Sequence, residues 1–235
     1  MKLVKLIKPL LFTALLIIIC LGSFFRWLEL FELVTFDWRM KMRSRQLVHP
    51  EIAIIEVSRD SLEQIGRWPF DRKFHAQLIN VLSEYGARQI CFDVIFDQES
   101  VSDDQLISAT KNAGNVYYPL GRNVYLIDGL SQSARGRGHI NITPDIDGKR
   151  RYIQPFIKLG DASIPQMGVL MASDYLSKSP QGLRLPLDDQ GRLLINYAGH
   201  WKQTFKHYSY VDILVSYEQL KLGMTPRLDL SELKN

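Results

Sequence analysis

The side chains best suited to ligand chemistry lie between residues 58 and 97, where carboxylates, hydroxyls, one guanidinium and one indole follow two apolar segments. In a parallel α/β sheet, ligands bind beyond the carboxyl ends of the strands, where these residues are expected. Trp68 could form the wall of a pocket for a small polar ligand, and Arg72 could neutralise an anionic group. The predicted ligand-binding residues are Ser58, Asp60, Ser61, Trp68, Arg72, Asp93 and Asp97.

Several of these residues also have a purely structural interpretation. Asp60 could cap a short helix, because a carboxylate at that position accepts hydrogen bonds from backbone amides. Arg72 could serve simply as the ion-pair partner of a neighbouring aspartate, either Asp71 or Asp93. Trp68 could belong to the core. The sequence leaves the ligand-binding and structural interpretations open.

The acidic residues in the same region raise the question of a metal ion. Asp93, Asp97, Asp103 and Asp104 carry carboxylates of the kind that bind divalent cations, although the last two also suit a helix N-terminus. Residues 145–148 resemble part of a calcium loop, but its other acidic positions are missing, so a turn is predicted. No metal site, cofactor or catalytic residue is assigned, because the sequence lacks the GxSxG, HExxH, GxGxxG and Walker motifs.

The order of the predicted elements is that of an α/β fold. Apolar runs predict strands at residues 51–57, 89–96 and 115–120, with helices between them at 72–85 and 102–112. This alternation predicts one βαβαβ unit with a parallel sheet. The second half is less regular, and its predicted elements are strands at 136–141, 151–159, 193–197 and 208–211 and a helix at 164–176.

An uncharged segment near the N-terminus predicts a membrane anchor. Residues 10–25 carry no charged side chain, and at about 1.5 Å per residue they extend about 24 Å, somewhat less than a bilayer core. Apolar residues continue past Arg26, so a transmembrane helix is predicted over residues 9–28 and a juxtamembrane helix over 29–45. A cleaved signal peptide is the alternative.

The basic residues at the N-terminus predict the orientation of this anchor. Lys2, Lys5 and Lys8 supply three of the four net positive charges of the chain. The positive-inside rule then places residues 1–8 in the cytoplasm and the domain at residues 46–235 outside it. Because the remainder of the chain is nearly neutral, no nucleic-acid partner is predicted.

Several motifs together resemble the CHASE2 extracellular sensory domain of bacterial signalling receptors. The matching segments are Asp60-Ser61-Leu62, residues 66–72, His75-Ala76, Gly86-Ala87, and residues 92–96, 145–151 and 195–199. The resemblance runs from about Asp37 to Asn235. It implies a ligand-sensing, non-catalytic domain that faces outward from the inner membrane, held there by a single N-terminal helix.

The resemblance also implies partners and an output. The expected partners are lipid around residues 9–28, a small-molecule ligand, and a second copy of the chain or a signalling partner. In the family, several membrane helices and a cytoplasmic adenylate cyclase, histidine kinase or Ser/Thr kinase follow the domain. This sequence stops at Asn235, so a C-terminally incomplete domain is predicted. An extracytoplasmic metal-dependent hydrolase and an inactive truncated receptor remnant are the alternatives.

Overall fold

The computed structural model describes residues 2–24, 27–44, 46–121 and 125–234. The chain divides into two compact units, the first formed by residues 1–46 and 144–149 and the second by residues 47–143 and 150–235. The first unit contains α1 (Lys2–Phe24) and α2 (Trp27–Met42).

The large apolar side chains of α1 are exposed. Between Leu10 and Leu21 their exposed fractions range from 46% to 71%. Within the described part of the chain, no helix has both the length and the apolar character required to cross a bilayer. The transmembrane helix predicted over residues 9–28 includes Phe25 and Arg26, which lie outside the described residues, and it stays a prediction.

The second unit begins with a strand whose partner lies near the end of the chain. β1 (Ala53–Glu56) pairs in parallel with β9 (Lys206–Ser209), and Glu56 is opposite Ser209. The predicted βαβαβ unit that started at residues 51–57 is therefore wrong, since β1 does not pair with the next strand in the sequence. An apolar run identifies a strand, but it carries no information about the partner.

A βαβαβ unit is present one strand further along the chain. It consists of β2 (Ile90–Cys91), α5 (Asp103–Ala113), β3 (Val116–Leu120), α6 (Asp128–Ser133) and β4 (Gly136–His139). The three strands form a parallel sheet in the order β2, β3, β4. β2 is shorter than the predicted strand at 89–96, and its continuation from Phe92 is a loop.

Helices pack around these sheets and enclose the core. α3 (Arg59–Ile65) and α4 (Arg72–Glu84) follow β1, and α4 packs against α5. The side chain of Asp71 accepts a 3.0 Å hydrogen bond from the backbone amide of Lys73, so it caps α4. Gly86, with φ of +82°, follows the end of α4 in the left-handed conformation that glycine commonly adopts after a helix. The most deeply buried aliphatic core residues are Ile79, Val81, Leu106, Val116, Leu130, Ile213 and Leu230.

The helix that follows β9 was not predicted from the sequence. α9 (Tyr210–Lys221) begins inside the strand predicted at residues 208–211, which in the structure ends at Ser209. Aromatic and β-branched residues around position 210 favour a strand by propensity alone. Ile213 and Leu214 are nevertheless buried against the core, and α9 packs on α3 and α4, so tertiary packing overrides that propensity.

The remaining elements are short, and their strands pair in antiparallel orientation. β5 (Tyr152–Ile153) pairs with β8 (Leu193–Leu194), and β6 (Phe156–Leu159) pairs with β7 (Ala162–Pro165). The strand predicted at 151–159 is thus divided in two, and β7 occupies the start of the helix predicted at 164–176. Further elements are α7 (Met167–Tyr175), α8 (Trp201–Thr204) and 3₁₀ turns at Pro180–Gly182 and Leu230–Leu233.

Two backbone features between residues 138 and 148 follow from local chemistry. The predicted turn at residues 145–148 is confirmed, because the Gly148 amide donates to the Asp145 carbonyl at 2.9 Å. Gly138 lies in β4, where an added Cβ would be 2.6 Å from the Cα atom of Met167. The close approach of α7 to this strand therefore requires glycine.

Candidate functional site

Three predicted ligand-binding residues meet at the carboxyl edge of the β1–β9 sheet. Ser58 precedes α3 and Ser209 precedes α9, so both helices begin at this edge. Asp60 accepts a 2.7 Å hydrogen bond from the Ser209 hydroxyl and a short one from the Ser58 hydroxyl. Ser61 is fully buried, with its Oγ 3.5 Å from the hydroxyl oxygens of both other serines. We call these four residues the Asp60 cluster.

The hydroxyl groups of the cluster stabilise a charged carboxylate. Hydrogen bonds from Ser58 and then Ser209 hold the pKa of Asp60 below its usual value. Asp60 is not the helix cap that its spacing suggested, because Ser58 occupies the N-cap position of α3. Ser209 was missed by the sequence analysis. No local signal marks it, because the helix that it precedes was not predicted and β1, the partner of its strand, lies far away in the sequence.

A second group of residues surrounds a buried histidine. His75 in α4 is 1% exposed, and its Nδ1 lies 2.9 Å from the hydroxyl oxygen of Tyr210. Ring centroids of five neighbours lie 5.2 to 6.4 Å from its own, and we call these neighbours the aromatic shell: Trp68, Phe70, Phe92, Phe96 and Tyr210. Burial lowers the pKa of His75 to about 4, so this imidazole is neutral at pH 7.

Trp68 connects the aromatic shell to solvent. Its side chain is 43% exposed, whereas the other four members of the shell are buried. The indole packs edge-on against Phe70 at 5.2 Å and against His75 at 5.9 Å. Trp68 is therefore not a core residue. It presents a rigid aromatic surface to solvent, and such a surface suits recognition of an organic ligand.

Arg72 has a different partner from those predicted. Its Nε donates to the Asp103 carboxylate at 3.1 Å and its Nη2 donates to the Gln98 carbonyl at 3.0 Å. The guanidinium lies 4.5 Å from the ring centroid of Phe96. With the side chains of Arg72 and Asp103 only 10% and 13% exposed, this is a buried ion pair. The predicted ion pair of Arg72 with Asp71 or Asp93 is therefore wrong. Arg72 instead links α4 to Asp103, the first residue of α5, and to the loop before that helix.

Asp93 and Asp97 are not brought into contact with the Asp60 cluster. Both are exposed on the loop that follows β2, and neither makes a hydrogen bond or ion pair with the residues that the structure describes. Across the same residues, no three His, Cys, Asp or Glu side chains are grouped as a metal ion would require. The candidate site therefore consists of the Asp60 cluster and the aromatic shell, whose members Ser209 and Tyr210 are consecutive in the chain.

The fold and the site together define a mixed α/β domain whose candidate site consists of hydrogen-bonding and aromatic groups. This chain belongs to the CHASE2 domain family, whose profile matches residues 11–235. The match starts earlier than the resemblance found from Asp37 onward, so it includes much of α1 and all of α2. CHASE2 domains are sensory and generally non-catalytic, and membership implies extracellular ligand sensing in signalling proteins. Searches of curated proteins and of solved structures each gave no match.

Proposed function

We propose that this protein is the membrane-anchored, extracytoplasmic sensor of a bacterial signalling system, and that it binds a small molecule at the candidate site. The supporting observation is that the Asp60 carboxylate links the starts of α3 and α9. A ligand that exchanges hydrogen bonds with this cluster and contacts the exposed face of Trp68 would favour one arrangement of these two helices. Signalling then follows as a population shift between arrangements.

The anchor in this proposal is α1, with lipid around residues 9–28. A continuous apolar helix surface exposed to water is unfavourable, and the side chains between Leu10 and Leu21 present one. Lipid would cover that surface, and the lysines before it would stay on the cytoplasmic side. α2 follows α1 in the chain. A conformational change in the domain that reached α2 would therefore be transmitted towards the membrane.

The orientation gives a direct prediction. A green fluorescent protein fused before Lys2 is expected to fluoresce, because it stays in the cytoplasm. An alkaline phosphatase fused after Asn235 is expected to be active, because it is exported. The matched control is the same phosphatase fusion on a chain that starts at residue 29, which should remain inactive. An active cytoplasmic reporter after Asn235 in the full chain would reject the extracytoplasmic placement.

The ligand-binding part gives a second prediction. A panel of small extracellular metabolites is screened against the full chain in detergent by tryptophan fluorescence and thermal stability. A ligand at the candidate site is expected to change the emission of Trp68, and Trp68→Phe should remove most of that change. Trp201→Phe is the matched control, because both tryptophans are 43% exposed. A ligand whose signal is lost with Trp201→Phe and kept with Trp68→Phe would place binding elsewhere.

The alternatives to a sensor have distinct experimental outcomes. A metal-dependent hydrolase that uses the region of Asp93 and Asp97 predicts turnover of phosphate esters, and Asp93→Ala abolishes this turnover with the fold intact. An inactive receptor remnant predicts a correctly exported, folded domain that binds no member of the panel. A sensor predicts export and binding together.

A further inference from the structure

A polar cleft lies at the amino ends of the parallel sheet β2–β3–β4, and none of its lining residues belongs to the candidate site. Its volume is about 200 Å³, and its polar lining consists of Arg88, Gln89, Asn115, Tyr117, Arg135 and Asp174. Gln89, Asn115 and Arg135 are the residues that immediately precede the three strands. A cleft of this size lies below the range of drug-sized ligand pockets and suits a small metabolite.

The lining of the cleft is held in a defined geometry. Tyr117 is 2% exposed, and its hydroxyl donates to Asp174 Oδ2 at 2.6 Å. Arg135 Nε donates to the same oxygen at 3.1 Å, and Gln89 Nε2 donates to the Met171 carbonyl at 3.0 Å. The hydrogen bond from Tyr117 and the contact with Arg135 lower the pKa of Asp174, so its carboxylate is charged. These contacts fix α7 against the start of the sheet.

Two guanidinium groups give the cleft an excess of positive charge and of hydrogen-bond donors. Arg88 donates from Nη2 to the Tyr175 carbonyl at 2.9 Å, and its guanidinium lies 4.0 Å from the Tyr175 ring centroid. Arg135 uses Nε for Asp174 and its side chain is 56% exposed. A guanidinium has five N–H donors, so both groups retain donors for a ligand. With one carboxylate against two guanidiniums, the cleft favours an anion.

Asn115 lines the same cleft and carries a buried acceptor. Its Nδ2 donates to the Ala87 carbonyl at 2.6 Å, and this bond fixes the orientation of the amide. The other amide atom, Oδ1, is buried and has no hydrogen-bond partner among the described residues. Buried acceptors are nearly always paired in folded proteins, so Oδ1 calls for a donor.

We propose that this cleft binds a small carboxylate that carries a hydrogen-bond donor beside its carboxyl group, as in an α-amino or α-hydroxy acid. The guanidiniums of Arg135 and Arg88 hold the carboxylate, and the neighbouring ammonium or hydroxyl group donates to Asn115 Oδ1. The proposal is independent of the candidate site, because none of its residues belongs to the Asp60 cluster or the aromatic shell.

Isothermal titration calorimetry of the full chain in detergent tests this proposal. The probes are L-serine, L-lactate, acetate and inorganic phosphate. L-serine or L-lactate is expected to bind at least tenfold more tightly than acetate, which carries the charge and lacks the donor. Arg135→Gln is expected to weaken this binding at least tenfold, because it removes a charged partner of the carboxylate. Trp68→Phe should leave it unchanged, which separates this cleft from the candidate site.

The matched control is Arg137→Gln. Arg137 lies on β4 two positions after Arg135, is exposed, and bonds to the Ser131 hydroxyl rather than to a residue of the cleft. Its substitution should change the affinity by less than twofold. Arg88→Gln gives the same test as Arg135→Gln if that variant does not fold. The proposal is overturned if no probe binds, or if acetate or phosphate binds as tightly as L-serine and L-lactate. It is also overturned if Arg135→Gln and the control Arg137→Gln weaken binding equally.

Discussion

Replacing Arg72 by methionine is expected to lower the free energy of unfolding by about 3–5 kcal/mol, because the variant leaves a buried carboxylate without its partner. The side chains of Arg72 and Asp103 are only 10% and 13% exposed, and the Gln98 carbonyl also loses its donor. Methionine keeps much of the aliphatic length against Phe96, so the loss reports mainly on charge and hydrogen bonding. Urea unfolding of the full chain in detergent, followed by circular dichroism, measures it.

The chain provides a matched control in Arg59. Arg59 and Glu63 form the same kind of ion pair at 2.8 Å, but their side chains are 91% and 62% exposed. Arg59→Met should therefore change the free energy of unfolding by about 0.5 kcal/mol or less. The double variant Arg72→Met, Asp103→Leu should recover part of the loss, since it removes the unpaired carboxylate. Equal effects at positions 59 and 72 would contradict the interpretation of a buried pair.

Acidification from pH 7 to pH 4 is expected to destabilise the domain through His75. Burial, with a further contribution from Arg72 that Asp71 opposes, lowers the pKa of this imidazole from 6.5 to about 4. Between these values the unfolded chain binds a proton that the folded chain does not, so the free energy of unfolding falls as the pH falls. The difference between the two pKa values corresponds to about 3 kcal/mol.

The quantity to measure is the difference between the free energies of unfolding at pH 7 and at pH 4. His75→Gln is expected to reduce this difference by about 3 kcal/mol, because it removes the titrating group while keeping an amide oxygen near Tyr210. His49, whose side chain is 52% exposed, is the control, and His49→Gln should alter the difference by about 0.5 kcal/mol at most. An unchanged pH dependence in His75→Gln would refute the role of His75.

Local features of this fold follow closely from the sequence. α4 is an example, because its observed bounds, Arg72–Glu84, differ by one residue from those of the helix predicted at 72–85. Ser58, Asp60 and Ser61 lie together in the structure because they fall within one turn of a single helix start. The family could also be recognised from the motif around Trp68, and the profile match confirms it.

Contacts between segments that are distant in the chain could not be predicted from such local sequence signals. Ser209 completes the Asp60 cluster from 149 positions away, and Asp103 pairs with Arg72 from 31 positions away. Nothing in a single sequence specifies which strand lies beside β1. α9 was missed because its first residues have high strand propensity, while its helical state depends on packing against α3 and α4. Tertiary structure therefore decides those features that propensity and periodicity leave open.

The pairing of β1 with β9 has a consequence for how the chain is made. A nascent polypeptide emerges from its N-terminus, so residues 53–56 leave the ribosome long before residues 206–209 exist. During that interval one edge of the first strand offers unsatisfied amides and carbonyls to any neighbouring strand. Closing such a distant pair is also slow, because the intervening loop must first be ordered. We therefore expect residues 53–56 to remain without their strand partner during synthesis until residues 206–209 have left the ribosome.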